Sequence, residues 1–321
     1  MEDNVAKLEY QYSPSRWSKR CGADEIIKRH VEFATKESEN NKNEIQCELN
    51  VAYGNSLGEK YDIFGTDLPK EAPILIYVHG GFWQELSRNI SSYLVKPFHK
   101  NGIKVIILGY DLCPNVTLPE LIKEIRKGFD KCLEYAVTNK SVGVSLAGHS
   151  AGAHLVSSLF MNISEHIEQH ERIVKTVFLF SGIYNLVPLV GTYINIPLKL
   201  DSEAAMKLSP LQHGIAWGEN VKFFVLVGEY ESSEFHKQSK LYHEKLKKLE
   251  YETRLVVVDG VDHFDIVERL SEQSFLITSL MLQEIRDRLN ILVETGIILK
   301  EKGYSDSTSA CMLPFVTLCI V

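Results

Sequence analysis

From the N-terminus, the first clear alternation of apolar and polar positions falls in IQCELNVAY and EKYDIF, which follow the polar stretch ATKESENNKNE. The turn-forming GNSLG joins them, so the pattern predicts an antiparallel hairpin of half-buried strands. The rhythm then changes. APILIYV and KVIILGY are short unbroken apolar runs, as expected of strands covered on both faces in a parallel sheet, and SSYLVKPFHKNG between them is a helix candidate. In TLPELIKEIRKGFDKCLEYAVTN, the residues Leu118, Leu121, Ile122, Ile125, Phe129, Cys132 and Leu133 recur at helical spacing, with Thr117 as N-cap and Pro119 in the first turn. The alternation continues through strand VGVSLA, a helix after Ser150, strands TVFLFS and KFFVLVG, helix SEFHKQSKLYHEKLKKLE, strand TRLVVVDG and a helix within SEQSFLITSLMLQEIRDRL.

Strands interleaved with helices predict the α/β class: a mostly parallel, doubly wound sheet with helices on both faces. The stretch from Ile183 to Asn220 is irregular and rich in Pro, Gly and aromatics, and is expected to form a small lid over the carboxyl ends of the strands. A single domain over 1–300 accounts for all of these elements. The tail, 301–321, ends in an apolar segment too short to span a bilayer and has no role legible in its residues.

Composition narrows the function. A chain of 321 residues, 45% hydrophobic and 24% charged, can bury a full core. Its formal charge of -7, without any basic block, argues against nucleic-acid or anionic-membrane partners. With neither a secretory signal nor an apolar run long enough to cross a membrane, a cytosolic address is expected. Cys21, Cys47, Cys113, Cys132, Cys311 and Cys319 are scattered without a CxxC, so disulfides and structural zinc are not expected. No metal or other cofactor is implied. The partner expected is a small-molecule substrate, and self-association as a homodimer is left open.

The chemistry starts at GHSAG, Gly148 to Gly152, which matches GxSxG between a predicted strand and a predicted helix, the setting that this motif requires. There Ser150 would take a strained backbone conformation, and a Cβ at Gly148 or Gly152 would collide with the neighbouring elements. The turn presents the hydroxyl and aims the helix N-terminus at an oxyanion. Independently, YVHGGFWQ places His79, Gly80 and Gly81 directly after a strand, the HGG type of loop that completes an oxyanion hole. The donors expected are the backbone N–H groups of Gly81, Phe82 and Ala151.

A serine nucleophile needs a base and an orienting carboxylate, in the chain order Ser, acid, His. His263, in DGVDHFDIVERL, follows a strong strand and precedes a helix. His149 beside the elbow, His154 in the following helix, and His236 and His243 on an amphipathic helix fit less well. For the acid, GEYESSEF offers Glu229, Glu231 and Glu234; position after the strand favours Glu231, with Asp259 and Asp262 as alternatives.

The stretches YSPSRW, HGGFWQ, GHSAGAHL, FSGIYNL, SEFHKQS and GVDHFDIVE together resemble the kynurenine formamidase (arylformamidase) family, from about Tyr12 to about Leu289. The resemblance implies an α/β-hydrolase fold and hydrolysis of N-formyl-L-kynurenine to L-kynurenine and formate in tryptophan catabolism. It maps the nucleophile to Ser150 and the base to His263. The family's usual acid is Asp, and Glu231 stands at the matching position. An aromatic leaving group asks for an apolar wall; Phe82, Trp83 and Tyr184 could supply it or could be core, and Trp17 and Tyr193 are further candidates. A general carboxylesterase for small acyl esters would use the same machinery, whereas a hydrolase-like binding protein without catalysis is disfavoured by the presence of both Ser150 and His263.

Overall fold

The computed structural model describes residues 2–161, 173–215 and 221–288. The tail 301–321 and the last five positions of the expected lid, 216–220, lie outside the described residues.

Eight strands form one sheet: β1 (Cys47–Ala52), β2 (Lys60–Phe64), β3 (Ile74–Val78), β4 (Lys104–Leu108), β5 (Val144–His149), β6 (Val174–Phe180), β7 (Lys222–Gly228) and β8 (Thr253–Val258). Their order is β1-β2-β4-β3-β5-β6-β7-β8. The hairpin β1/β2 is antiparallel and β2 joins β4 antiparallel, while β4, β3, β5, β6, β7 and β8 run parallel. The helices are α1 (Glu2–Gln11), α2 (Ala23–Glu44), α3 (Val95–Lys100), α4 (Leu118–Thr138), α5 (Ala151–Leu159), α6 (Asn195–Leu198), α7 (Ser202–Lys207), α8 (Ser233–Lys248), α9 (Asp265–Glu268) and α10 (Leu276–Arg288).

The apolar strands are covered on both faces, as their unbroken sequences require. Ile74, Ile76 and Val78 of β3 face one core with Leu121 and Phe129 of α4, Leu155 of α5 and Tyr242 of α8. Their neighbours Leu75 and Tyr77 face the other, with Phe98 of α3 and Ile277, Met281 and Ile285 of α10. Every member of the apolar stripe of α4 is buried, and its start carries a capping box: Thr117 and Glu120 each bond the other's backbone N–H.

Two differences from the sequence pattern stand out. ATKESENNKNE, legible only as a polar stretch, is the second half of α2, whose buried positions are Ile26, His30, Ala34, Ser38 and Asn41. The stretch 183–215 carries the short helices α6 and α7 and is well buried along Leu186, Leu189 and Leu198. Cys113 and Cys132 are buried and Cys21 and Cys47 half-buried, all four as free thiols; Cys311 and Cys319 lie outside the described residues.

The order of strands fixes where a ligand can sit. From β3 the chain goes to β4 on one side and then to β5 on the other, so the loops after β3 and β5 diverge and leave a crevice at the carboxyl ends. HGGFW follows β3 and GHSAG spans the end of β5.

Candidate active site

Ser150 stands between β5 and α5 at φ 54° and ψ -117°, a left-handed conformation that is costly for a side-chain-bearing residue and is held by its surroundings. The tightness is measurable at the flanking glycines. A Cβ on Gly148 would lie 2.4 Å from the Gly152 carbonyl oxygen, and one on Gly152 would lie 2.2 Å from that of Val78. Only the absence of both lets β5, the turn and α5 close against the end of β3. Ala151 is the first residue of α5 and fully buried, so its N–H is among the first-turn donors without an intrahelical acceptor.

Across the crevice, Gly81, Phe82 and Trp83 take φ values of 104°, 49° and 62° in succession. The Gly81 carbonyl accepts from the N–H groups of both Gln84 and Glu85 at 2.9 Å, which curls the loop into a tight turn. Gly81 and Phe82 line the same cavity as Ser150.

His263 reaches that cavity from the loop after β8. The β7 and β8 loops are laced together: Glu229 N–H donates to the Val258 carbonyl at 2.9 Å, Tyr230 N–H to that of Val261 at 3.0 Å, and Gly260 N–H to the Glu229 carboxylate at 2.7 Å. This lacing sets Glu231 against His263. Both Glu231 carboxylate oxygens lie 3.0 Å from His263 Nδ1, and the carboxylate is fully buried. A carboxylate can only accept, so Nδ1 carries the proton and Nε2 is left with its lone pair. Phe235 at 5.0 Å, His149 at 4.6 Å and Phe264 at 5.6 Å, between ring centroids, enclose the imidazole.

The cavity holds about 290 Å³ and is lined on one side by Ser150, His263, Gly81, Phe82 and His149. Of the opposite wall, the sequence had pointed to Tyr193 alone. That wall comes from the N-terminal arm, through Ser13, Pro14 and Ser15 and through Ile27, His30 and Val31 of α2, together with Tyr193 and Ile194. The Ser13 and Tyr193 hydroxyls are 3.0 Å apart and clasp the arm to the 183–215 stretch. Within the arm, YSPSRW, which spans Tyr12 to Trp17, entered only through the family resemblance.

Three aromatic expectations need correction. Trp83 is fully buried beneath its loop, where its indole N–H donates to His154 Nδ1 at 3.1 Å; it anchors the loop and does not line the cavity. Tyr184 is equally buried, stacked on Tyr242 with ring centroids 4.1 Å apart. Trp17 packs on Tyr10 outside the cavity. Of the other carboxylates weighed, Glu229 is engaged by Gly260 N–H, and Asp262 by Arg20 and Ser18.

Two buried histidines beside the site, His79 and His149, are held neutral. Burial pushes His79 down to about 4, and burial, then the nearby His263, holds His149 well below the usual imidazole range. His149 then uses its Nε2–H to donate to the His263 carbonyl at 2.9 Å, steadying the loop from below. Among the described residues no group of His, Cys, Asp or Glu could hold a metal ion, and no helix is long and apolar enough to cross a membrane.

A BD-FAE family model matches residues 62–246, leaving out both the arm and His263. A kynurenine formamidase of Salmo salar is 36% identical over 287 residues, covering 87% of this chain and 96% of that protein. One of Danio rerio is 34% identical with the same coverage of both chains. Among solved structures, the carboxylesterase EstE1 superposes with a TM-score of 0.64 at 17% identity, covering 85% of this chain and 99% of that one, a likeness that gives the α/β-hydrolase fold.

Proposed function

Since the chain belongs to the kynurenine formamidase family, we propose that it hydrolyses the formamide of N-formyl-L-kynurenine to L-kynurenine and formate, with Ser150 as nucleophile, His263 as general base and acid, and Glu231 as the orienting carboxylate. The observation that carries the assignment is the shared cavity: Ser150 at its strained turn and His263, tethered by Glu231, line one pocket.

The geometry supports the following sequence. His263 Nε2 takes the Ser150 hydroxyl proton as Oγ bonds to the formyl carbon, and the negative charge moves onto the formyl oxygen. N–H groups of Gly81, Phe82 and Ala151 are the proposed donors to that oxygen, each already held in place before charge develops. As the carbon–nitrogen bond breaks, His263 delivers its proton to the departing aniline nitrogen. Water then attacks the formyl ester, His263 takes its proton, and cleavage of the ester bond returns that proton to Ser150 with release of formate. Phe82, together with the apolar rim of Ile27, Val31 and Tyr193, supplies the wall for the aromatic ring. We place this activity in the cytosol, on a small-molecule substrate.

The test compares kcat/KM for N-formyl-L-kynurenine with that for a simple aryl acetate. The formamide is expected to be preferred, and a large preference for the ester would replace this reading with that of a general carboxylesterase. Ser150→Ala should remove about a millionfold of kcat while leaving the circular dichroism spectrum unchanged; retained turnover would put the nucleophile elsewhere.

A further inference from the structure

His263 is held on one side by Glu231, but the loop that carries it is held on the other side by a residue from the far end of the chain. Arg20 lies between α1 and α2, and its guanidinium forks onto Asp262, with Nε and an Nη each 2.9 Å from a carboxylate oxygen. Its other Nη donates to Glu268 at 2.7 Å. Asp262 immediately precedes His263, and its side chain is 1% exposed. Ser18 adds a hydrogen bond to the same carboxylate at 2.6 Å, and the N–H groups of Phe264 and Asp265 donate to it at 2.9 Å. Glu268 accepts in turn from His30 at 2.8 Å, and His30 lines the cavity. One cation therefore joins the arm that walls the pocket to the residues on both sides of the catalytic imidazole.

We infer that Arg20 is a positioning residue for His263: by holding Asp262 and Glu268 together it fixes the backbone from which the imidazole reaches Ser150. The inference rests on the reading of Ser150 and His263 as nucleophile and base. The physical ground is that a carboxylate buried as deeply as Asp262 loses its only bonded counter-charge with Arg20, and a bidentate fork sets direction as well as charge. Burial works to raise the Asp262 carboxyl, yet the hydrogen bonds from Arg20 and Ser18 outweigh it and hold the group well below the usual carboxylate range. Without Arg20, the loop between β8 and α9 would turn its side chains to find other partners, and His263 would move with it. Such a displacement acts on the chemical step and not on the grip on substrate.

The experiment measures kcat and KM separately in Arg20→Gln, Arg20→Lys, Ser18→Ala and Ser150→Ala, together with the rate at which a fluorophosphonate probe labels the serine. Arg20→Gln is expected to lower kcat and the labelling rate by about 10- to 100-fold, with KM within about twofold of wild type. Arg20→Lys should recover part of the loss, since an ammonium can meet Asp262 or Glu268 but not fork onto both. If Arg20→Gln does not fold, Ser18→Ala, which deletes the 2.6 Å bond to Asp262 and the 3.2 Å bond that Ser18 Oγ accepts from the Arg20 N–H but leaves the guanidinium fork in place, should still lower kcat about threefold in a folded protein. A folded Arg20→Gln with wild-type kcat, or one in which only KM rises, overturns the inference and leaves the arm as a wall alone; so does a wild-type kcat in Ser18→Ala where that variant decides. Turnover or labelling that persists in Ser150→Ala overturns instead the reading on which the inference rests.

Discussion

Glu231, proposed above as the orienting acid, puts one more methylene between backbone and carboxylate than an aspartate would, and the structure accommodates it just before α8, where Ser232 caps the helix by accepting from Phe235 N–H at 3.3 Å. Because both carboxylate oxygens lie at the same distance from His263 Nδ1, the pair is defined by charge and by the tautomer it imposes. Glu231→Gln preserves shape but offers an N–H where Nδ1 already has one. Where that N–H faces Nδ1, the imidazole pairs only by moving its proton to Nε2 and can no longer accept from Ser150; where the amide oxygen faces it, the tautomer is kept but the charge that stabilises the imidazolium is gone. We expect kcat to fall about ten-thousandfold with little loss of Tm, measured by steady-state kinetics beside thermal unfolding. Glu229→Ala should lower kcat far less than Glu231→Gln, because it removes one of the three bonds that lace the β7 and β8 loops and leaves the two backbone ties and the Glu231–His263 pair in place. The three side chains of the site were legible in the sequence because each follows an apolar strand within a local signature. The roles of Trp83 and Tyr184 were not, since an aromatic residue after a strand looks the same whether it faces a cavity or anchors a loop from beneath.

At the scale of elements, the close approach of β3, β5 and α5 is the feature on which the site depends, and it can be tested without touching a reacting group. Gly152→Ala would bring a methyl within 2.2 Å of the Val78 carbonyl oxygen and 2.4 Å of that of His79, both backbone atoms that cannot swing aside. The expected result is a loss of about 3 kcal/mol in urea unfolding together with a steep fall in kcat, because relief comes only by lifting α5 and with it Ser150. Thr117→Ala, which removes the cap of α4, should cost about 1 kcal/mol while kcat stays unchanged. The same contrast explains what the apolar pattern could reveal. Helix α4 declared itself through an apolar stripe at every turn, whereas α2 buries mainly small or polar residues, with Ile26 and Ala34 as the only apolar members of its buried row. A hydrophobic rhythm cannot show a helix whose buried face is His30, Ser38 and Asn41. That is also why the cavity wall built by α2 went unseen, and why the pairing of Arg20 with Asp262, 242 positions apart, left no local trace.

Across the whole molecule, segments distant in sequence meet at His154, whose protonation state their geometry determines. Trp83 can only donate, so His154 Nδ1 must accept, and Nε2 must therefore carry the proton that it gives to the Leu208 carbonyl at 2.8 Å. One neutral imidazole thus fastens the loop after β3 and the segment after α7 onto α5. Burial lowers its pKa to about 4, in keeping with a ring that has no place for a second proton. In the unfolded chain the same histidine titrates near its ordinary value of about 6.5, so from there down to about pH 4 the unfolded state binds the additional proton and folding loses stability as pH falls. His79 acts in the same direction, whereas Glu124 and Asp265, each raised to about 7 mainly by burial, act oppositely. The net acid sensitivity therefore mixes signs, and a difference isolates one joint. His154→Gln can accept from Trp83 and donate to Leu208 without titrating, so its stability deficit relative to wild type should shrink by about 2 kcal/mol between pH 7 and pH 5, read from urea unfolding at each pH. A deficit that stays constant over that range would mean that the imidazole takes up its proton in the folded protein as readily as in the unfolded one, and that the Trp83 indole does not depend on it.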